Sequence, residues 1–222
     1  MKNRYDNILR THNAEILTLT PANQVLHTVV AYNFAKLYRK GNSVLEIGCG
    51  EGDSTLPLLS LSQAELTALD VSPDMIRICK NNLRAYKSRV QYICDDALNF
   101  LKHGRSYDII ISSWTIHNFT WSQKKLLFKA ICNALPSNGK FLLMDKIYLD
   151  KKEKVQYQEQ IERYKLLPRQ IAKAIIAHEV TDFSLRYRMS EKQTLQELRA
   201  AGFKKVKIAD RVTRDAFLIA FK

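Results

Sequence analysis

The chain has 222 residues, 46% of them hydrophobic and 26% charged, with a formal net charge of +13. That is an ordinary globular mixture at a length that fits one sizeable domain. No run approaches the ~18 apolar residues of a membrane span, and the polar opening Met1-Lys-Asn-Arg-Tyr-Asp-Asn7 has no apolar segment behind it. Cys49, Cys79, Cys94 and Cys132 fall in no CxxC or other metal-ligand spacing, which excludes a paired framework and a cysteine metal site. A soluble, unprocessed cytoplasmic protein with reduced thiols is expected.

The charge is uneven. Residues 1–43 hold 6 Lys+Arg against 2 Asp+Glu, residues 44–139 hold 10 against 9, and residues 140–222 hold 19 against 11. The basic excess therefore sits in the flanks. It suits anionic small substrates or nucleic acid, or simply a well-solvated surface.

In chain order, the pattern after Pro21, with Val25, Leu26, Val29, Val30, Phe34 and Leu37, predicts a helix. Short runs rich in Val, Ile, Leu and aromatics at residues 43–47, 66–70, 90–94, 107–112 and 139–145 predict buried strands. Between them, Ser72-Pro73-Asp74 supplies a cap, a first-turn proline and an N-terminal acid for a helix carrying Met75, Ile76 and Leu83. Residues 121–135 carry Leu126, Leu127, Ala130, Ile131 and Ala134 at helical spacing and stop at Pro136-Ser-Asn-Gly139. Residues 151–166 read as a helix that Pro168 breaks, and a second helix reaches Ala177. Ser190-Glu-Lys-Gln193 is a capping box for a last helix ending at Gly202. Alternating strands and helices predict an α/β domain with a largely parallel sheet covered on both faces.

Three of the seven glycines fall in Glu46-Ile-Gly-Cys-Gly-Glu-Gly52, directly after the first strand. In open α/β sheets, ligands bind outside the carboxyl ends of the strands. Glycine at such a loop permits positive φ and close backbone approach. The third glycine comes one residue too early for the dinucleotide fingerprint, and no Gly-Lys-Ser/Thr follows for a triphosphate loop. Asp70 closes the second strand, where a carboxylate can accept both hydroxyls of a ribose. A nucleoside without a pyrophosphate is therefore expected.

With Asp70-Val-Ser-Pro-Asp-Met75, Asp95-Asp-Ala97, Tyr107-Asp-Ile-Ile-Ile-Ser112 and Leu135-Pro-Ser-Asn-Gly-Lys-Phe-Leu-Leu-Met144, this loop resembles the ordered motifs of class I S-adenosylmethionine-dependent methyltransferases over about residues 40–146. The resemblance implies a three-layer Rossmann-like fold with a seven-stranded, mostly parallel sheet whose last strand is antiparallel. Residues 203–209 and 214–221 would supply the two remaining strands around a turn at 210–213. It also implies one domain over residues 1–222. This divides into N-terminal cap helices (1–40), a cofactor-binding core (41–146), a helical cap insertion (147–189), and the last helix and terminal strands (190–222).

The resemblance assigns roles. Gly48, Cys49, Gly50 and Gly52 let backbone approach the methionine portion of S-adenosyl-L-methionine, whose product is S-adenosyl-L-homocysteine, and Glu46 faces its ammonium end. Asp70 holds the ribose, with Val71 beside it. Met75 lies against adenine or in the helix core. Asp96 and Ala97 read the adenine edge, with Asp95 competing for that role, and Ser112 approaches the sulfonium. His117, in the loop after the fourth strand with Trp114 and Asn118, is the candidate base. Asp145 and Lys146 end the fifth strand as a catalytic or local ion pair. In the N-terminal cap, Tyr5-Asp6 and Arg10-Thr-His-Asn13 are candidate contacts or solvated helix residues. His178, Glu179 and Asp182 lack the H-E-x-x-H spacing, so no metal is assigned there, and they are candidate pocket contacts. Arg186 and Arg188 either meet an anionic substrate or form a solvated basic face.

The implied activity is methyl transfer to a small-molecule acceptor. The alternatives are an RNA methyltransferase drawn by the basic flanks, and a non-catalytic S-adenosylmethionine-binding regulator.

Overall fold

A computed structural model describes residues 13–20 and 22–222. The candidate contacts Tyr5, Asp6, Arg10, Thr11 and His12, and the side chain of Asn13, lie outside the described residues. A short helix α1 (Asn13–Thr18) precedes α2 (Ala22–Leu37). The core then alternates β1 (Val44–Ile47), α3 (Thr55–Ser60), β2 (Leu66–Asp70), α4 (Pro73–Asn82), β3 (Val90–Cys94), α5 (Ala97–Leu101), β4 (Ile109–Ser113), α6 (Trp121–Asn133) and β5 (Lys140–Tyr148). Next come α7 (Glu153–Tyr164), α8 (Arg169–Phe183), a two-residue β6 (Met189–Ser190), α9 (Glu191–Ala201) and the hairpin β7 (Lys205–Val212) and β8 (Asp215–Phe221). Among the described residues, no helix is long and apolar enough to cross a membrane.

The seven long strands run in the order β3-β2-β1-β4-β5-β8-β7, and β8 lies antiparallel between β5 and β7. Strand β6 adds an eighth, parallel to the end of β5 through Ile147 and Met189. Side-chain alternation divides the strands between two cores. Leu45, Ile110, Phe141, Leu143 and Leu218 pack with α6 and α9, while Val44, Ile109, Ile111, Leu142, Met144 and Phe217 pack with α2 and α3. A third, smaller core joins Ile16 of α1 to Tyr164, Leu167, Ile171, Ala172 and Ile175 of the α7–α8 region. The two flanks of the chain thus build one cap over the sheet.

Three boundaries differ from the sequence expectation. Strand β5 runs on to Tyr148 because β8 pairs with it as far as Lys146 opposite Asp215, and β6 covers its last residues. The terminal turn falls at Thr213 and Arg214 rather than over 210–213, after an irregularity between Ile208 and Asp210, and Thr213 takes the positive φ of 53° there. Helix α8 continues six residues past Ala177 to Phe183, which places His178, Glu179 and Asp182 on a buried helix face.

The topological switch lies between β1 and β4. The chain leaves β1 toward β2 on one side, and returns from β3 to β4 on the other. The carboxyl ends of neighbouring parallel strands open a crevice at such a point.

Candidate functional site

A cavity of about 290 Å³ occupies that crevice. Its volume is near the lower end of small-ligand sites, roughly 300–1,000 Å³. Gly48, Cys49 and Gly50 line one side with Asp70, Val71, Met75, Asp95, Asp96 and Ala97, and Ser113, Trp114, His117, Asn118, Lys146, Glu179 and Arg214 line the other.

The glycine loop is tied to the end of β2. The amides of Gly48 and Cys49 donate to Leu69 O at 2.7 and 3.1 Å, and the Gly50 amide donates to Asp70 Oδ2 at 3.0 Å. Asp70 Oδ1 accepts from the Ser72 amide at 2.9 Å. Burial raises the Asp70 carboxyl, against the lowering effect of these amides. The glycines have different tasks. At Gly48 (φ 75°) a Cβ would stand 2.0 Å from Thr115 Oγ1, whereas at Gly50 (φ 51°) it would meet nothing within 4 Å. Gly52 lies away from the cavity wall, and a Cβ there would press on Cys79 and Leu83 of α4. Gly48 and Gly52 therefore serve packing, and the open face of the loop is at Gly50. An open backbone face beside a carboxylate at the end of β2 fits the nucleoside and amino-acid parts of S-adenosylmethionine.

Two assigned residues sit behind the wall. Glu46 is fully buried and accepts from Ser54 Oγ at 2.5 Å and Thr55 Oγ1 at 2.6 Å, and burial pushes its carboxyl up to about 7 despite these donors. Ser54 thus occupies the cap position of α3 while its hydroxyl serves Glu46. Ser112 is also fully buried, its hydroxyl donating to Ile47 O at 3.1 Å. The next residue, Ser113, reaches the cavity.

On the adenine side, Asp96 caps α5, its Oδ1 accepting from the Leu98 and Asn99 amides at 2.9 and 3.3 Å. Asp95 accepts from Asn99 Nδ2 at 3.0 Å and from the Asp96 amide at 2.7 Å. Both reach the cavity, as does Met75, which is half-buried while its neighbour Ile76 enters the core.

The opposite wall is a buried charge network. His117 Nδ1 lies 2.7 Å from Asp145 Oδ1, and its Nε2 lies 3.7 Å from Asp182 Oδ2. Lys146 does not pair with its neighbour Asp145 but with Glu179 Oε1 at 2.6 Å and Asp182 Oδ2 at 2.8 Å, both from α8. The Arg214 guanidinium donates to the two Glu179 oxygens at 2.5 and 3.0 Å, and to the Tyr148 hydroxyl at 3.0 Å. Burial alone would raise the Glu179 carboxyl, but Arg214 and Lys146 bring it down to about 2. Trp114, at φ 43°, donates its indole N–H to Asp215 Oδ1 at 2.8 Å and meets the His27 ring edge-on at 5.0 Å between centroids. A fully buried Lys124 holds the His117 loop in place, its ammonium donating to the carbonyls of Phe119 and of Tyr187, the latter at 2.9 Å. Arg188 stacks over Phe183 and Arg186 over Tyr187, and neither lines the cavity.

Sequence reasoning missed Asn23, His27, Ser113 and Arg214. A weak signal existed for the α2 pair: Asn23 and His27 are four residues apart, one turn of a helix. Arg214 has none, because its partners come from α8 and β5.

Comparison with known proteins agrees with this geometry. The family described as "Methyltransferase domain" matches residues 44–139. A carboxy-S-adenosyl-L-methionine synthase from Nautilia profundicola is 26% identical over 82% of this chain and 77% of its own. Relatives of the same name from Psychromonas ingrahamii and Ruthia magnifica align over 47% and 57% of their lengths. A putative O-methyltransferase structure from Nostoc punctiforme has the same fold, with a TM-score of 0.70 at 18% identity over 93% of this chain. This chain spans only 58% of that structure. The fold, the ordered motifs on the switch-point cavity and these relatives together make the chain a member of the class I S-adenosylmethionine-dependent methyltransferase family.

Proposed function

We propose that the protein transfers the methyl group of S-adenosylmethionine to a small-molecule acceptor, with His117 as the base. The observation that carries this reading is a single cavity bounded by the glycine loop and Asp70 on one side, and by His117 on the other. When bound, the cofactor supplies a methyl group made electrophilic by its sulfonium. Alignment and proton removal are what the chain must add, and near-attack positioning alone contributes on the order of 7–11 kcal/mol.

In this reading Asp70 takes the ribose hydroxyls, Gly50 admits the methionine portion, Asp95, Asp96 and Ala97 flank the adenine edge, and Met75 packs against the base. Glu46 acts from behind the wall, by holding Ser54 and Thr55 beneath the loop. Asp145 fixes the His117 ring through Nδ1 and the backbone amide, leaving Nε2 to accept the acceptor's proton. The cap of α1, α7 and α8 encloses the cavity, which favours a small acceptor over RNA.

The relatives' name favours a second reading, in which S-adenosylmethionine itself is carboxylated. Incubation with methyl-labelled cofactor and a nuclease-treated metabolite extract separates the readings. Homocysteine nucleoside plus a labelled metabolite supports methyl transfer. A labelled nucleoside bearing an added carboxylate supports the second reading, and loss of transfer on nuclease treatment supports RNA.

A further inference from the structure

The charges behind the acceptor side of the cavity do not balance. Lys146 and Arg214 reach it, and both are already held by Glu179, with Asp182 as a further partner of Lys146. Asp145 and Asp215, both fully buried, belong to the same cluster. Four carboxylates thus face two cations. Burial tilts Asp215 toward its protonated form, which relieves part of the deficit. With the imidazoles neutral, at least one positive charge is still missing.

The neutral part of the wall has unsatisfied polar atoms. Ser113 is 7% exposed and lines the cavity, and its hydroxyl has no hydrogen-bond partner. The side-chain carbonyl of Asn23 and Nδ1 of His27, one turn apart on α2, are likewise unpartnered, and both residues line the cavity beside Trp114. Burial brings the His27 imidazole down to about 4, so it stands there uncharged. Buried polar atoms without partners are rare, and uncharged ones are completed by hydroxyl, amine or amide groups.

We infer that the acceptor is an uncharged or amine-bearing small molecule, seated against Ser113, Asn23 and His27, and that carboxylate- or phosphate-bearing acceptors are rejected. This rests on the methyl-transfer reading above and refines its substrate class. The basic flanks, which suggested an anionic acceptor, do not extend their charge into the cavity. In the transfer, the methyl carbon–sulfur bond breaks with its electron pair left on sulfur. A lone pair of the acceptor's oxygen or nitrogen forms the new bond to that carbon, and the acceptor's proton passes to His117 Nε2. One positive charge disappears at the sulfonium and one appears on an imidazole placed 2.7 Å from Asp145 and 3.7 Å from Asp182. Positive charge beside the carboxylates is conserved throughout. An anionic acceptor would instead add like charge to a site whose cations are already engaged, which electrostatic complementarity disfavours.

The test separates a small-molecule extract on an anion exchanger into bound and unbound fractions. Each fraction is dialysed to equilibrium against protein saturated with S-adenosylhomocysteine, and retained compounds are identified by mass spectrometry. Each is also incubated with methyl-labelled S-adenosylmethionine. Retention and label in the unbound fraction, at least about tenfold above the bound one, is expected, a ratio equal to 1.4 kcal/mol. Retention and label concentrated in the anionic fraction overturns the inference. No retention and no label in either fraction overturns the methyl-transfer reading itself, and the inference with it.

Discussion

Asp145 holds His117 by two atoms at once: Oδ1 lies 2.7 Å from the ring Nδ1, and Oδ2 accepts the backbone amide at 3.0 Å. Burial would raise the Asp145 carboxyl, but the His117 charge and the donated N–H groups hold it below the usual range, so it remains an anion. Asp145→Asn removes that charge and one of the two acceptors. Turnover should fall by roughly 10²–10⁴-fold, the range for loss of effective general-base catalysis. Affinity for S-adenosylhomocysteine, measured by calorimetry, should stay unchanged. An unaltered turnover would leave Asp145 and His117 structural.

The glycine loop gives a paired prediction. Gly48→Ala drives a Cβ into the side chain of Thr115 and strains a backbone at φ 75°, so it should lower the melting temperature. Gly50→Ala meets no protein atom and adds strain only at φ 51°, so it should cost less stability and more cofactor affinity. Thermal melts with and without S-adenosylhomocysteine distinguish the two. A Gly50→Ala protein with full ligand-induced stabilisation would contradict the placement of the cofactor at this loop.

Glu179 and Glu46 set opposite pH dependences. The folded-state value of Glu179, about 2, lies below the ~4.3 of an unfolded glutamate, so its stabilisation is complete above ~4.3 and is lost as pH falls toward 2. For Glu46 the folded value is about 7, so its contribution is present below ~4.3 and is lost as pH rises through 7. Glu46→Gln should therefore gain melting temperature relative to wild type between about pH 5 and about pH 8. Glu179→Gln should destabilise at neutral pH by about 3–5 kcal/mol, since Arg214 and Lys146 lose their shared anion. A pH-independent gap between Glu46→Gln and wild type would refute the Glu46 assignment.

Much of this was legible in the sequence. The apolar runs placed β2 and β3 to the residue, because buried parallel strands are continuous Val/Ile/Leu segments bounded by turn residues. The order of motifs around Gly48, Asp70 and Asp96 gave the cofactor side of the cavity. The acceptor side was harder to read. Helix α8 beyond Ala177 buries His178, Glu179 and Asp182, so its inward face is charged and shows no apolar period. Lys146 looked like the partner of its neighbour Asp145, yet successive side chains of a strand point to opposite faces. Its acids come from a helix more than thirty residues later, as the sequence separations 33 and 36 record. Ser54 and Thr55 looked like cap residues, and their hydroxyls went instead to Glu46, eight and nine residues earlier.

Lys124 offers a check on how the His117 loop is held. Its ammonium ties the carbonyls of Phe119 and Tyr187 across the joint between the loop and the chain entering β6. Lys124→Met keeps the stem's volume and removes the donor, at about 1–3 kcal/mol for each carbonyl left buried without a partner. Chemical denaturation should show that loss. Stability equal to wild type would mean that the loop is held by its other contacts.

Titration of S-adenosylhomocysteine into the wild-type protein and into Asp70→Ala, followed by calorimetry, probes the cofactor cradle itself. One site should appear in the wild type, weakened in the variant by about 1.5–3 kcal/mol, or roughly ten- to a hundredfold. No binding to the wild type, or equal affinity in a folded Asp70→Ala protein, would contradict the account.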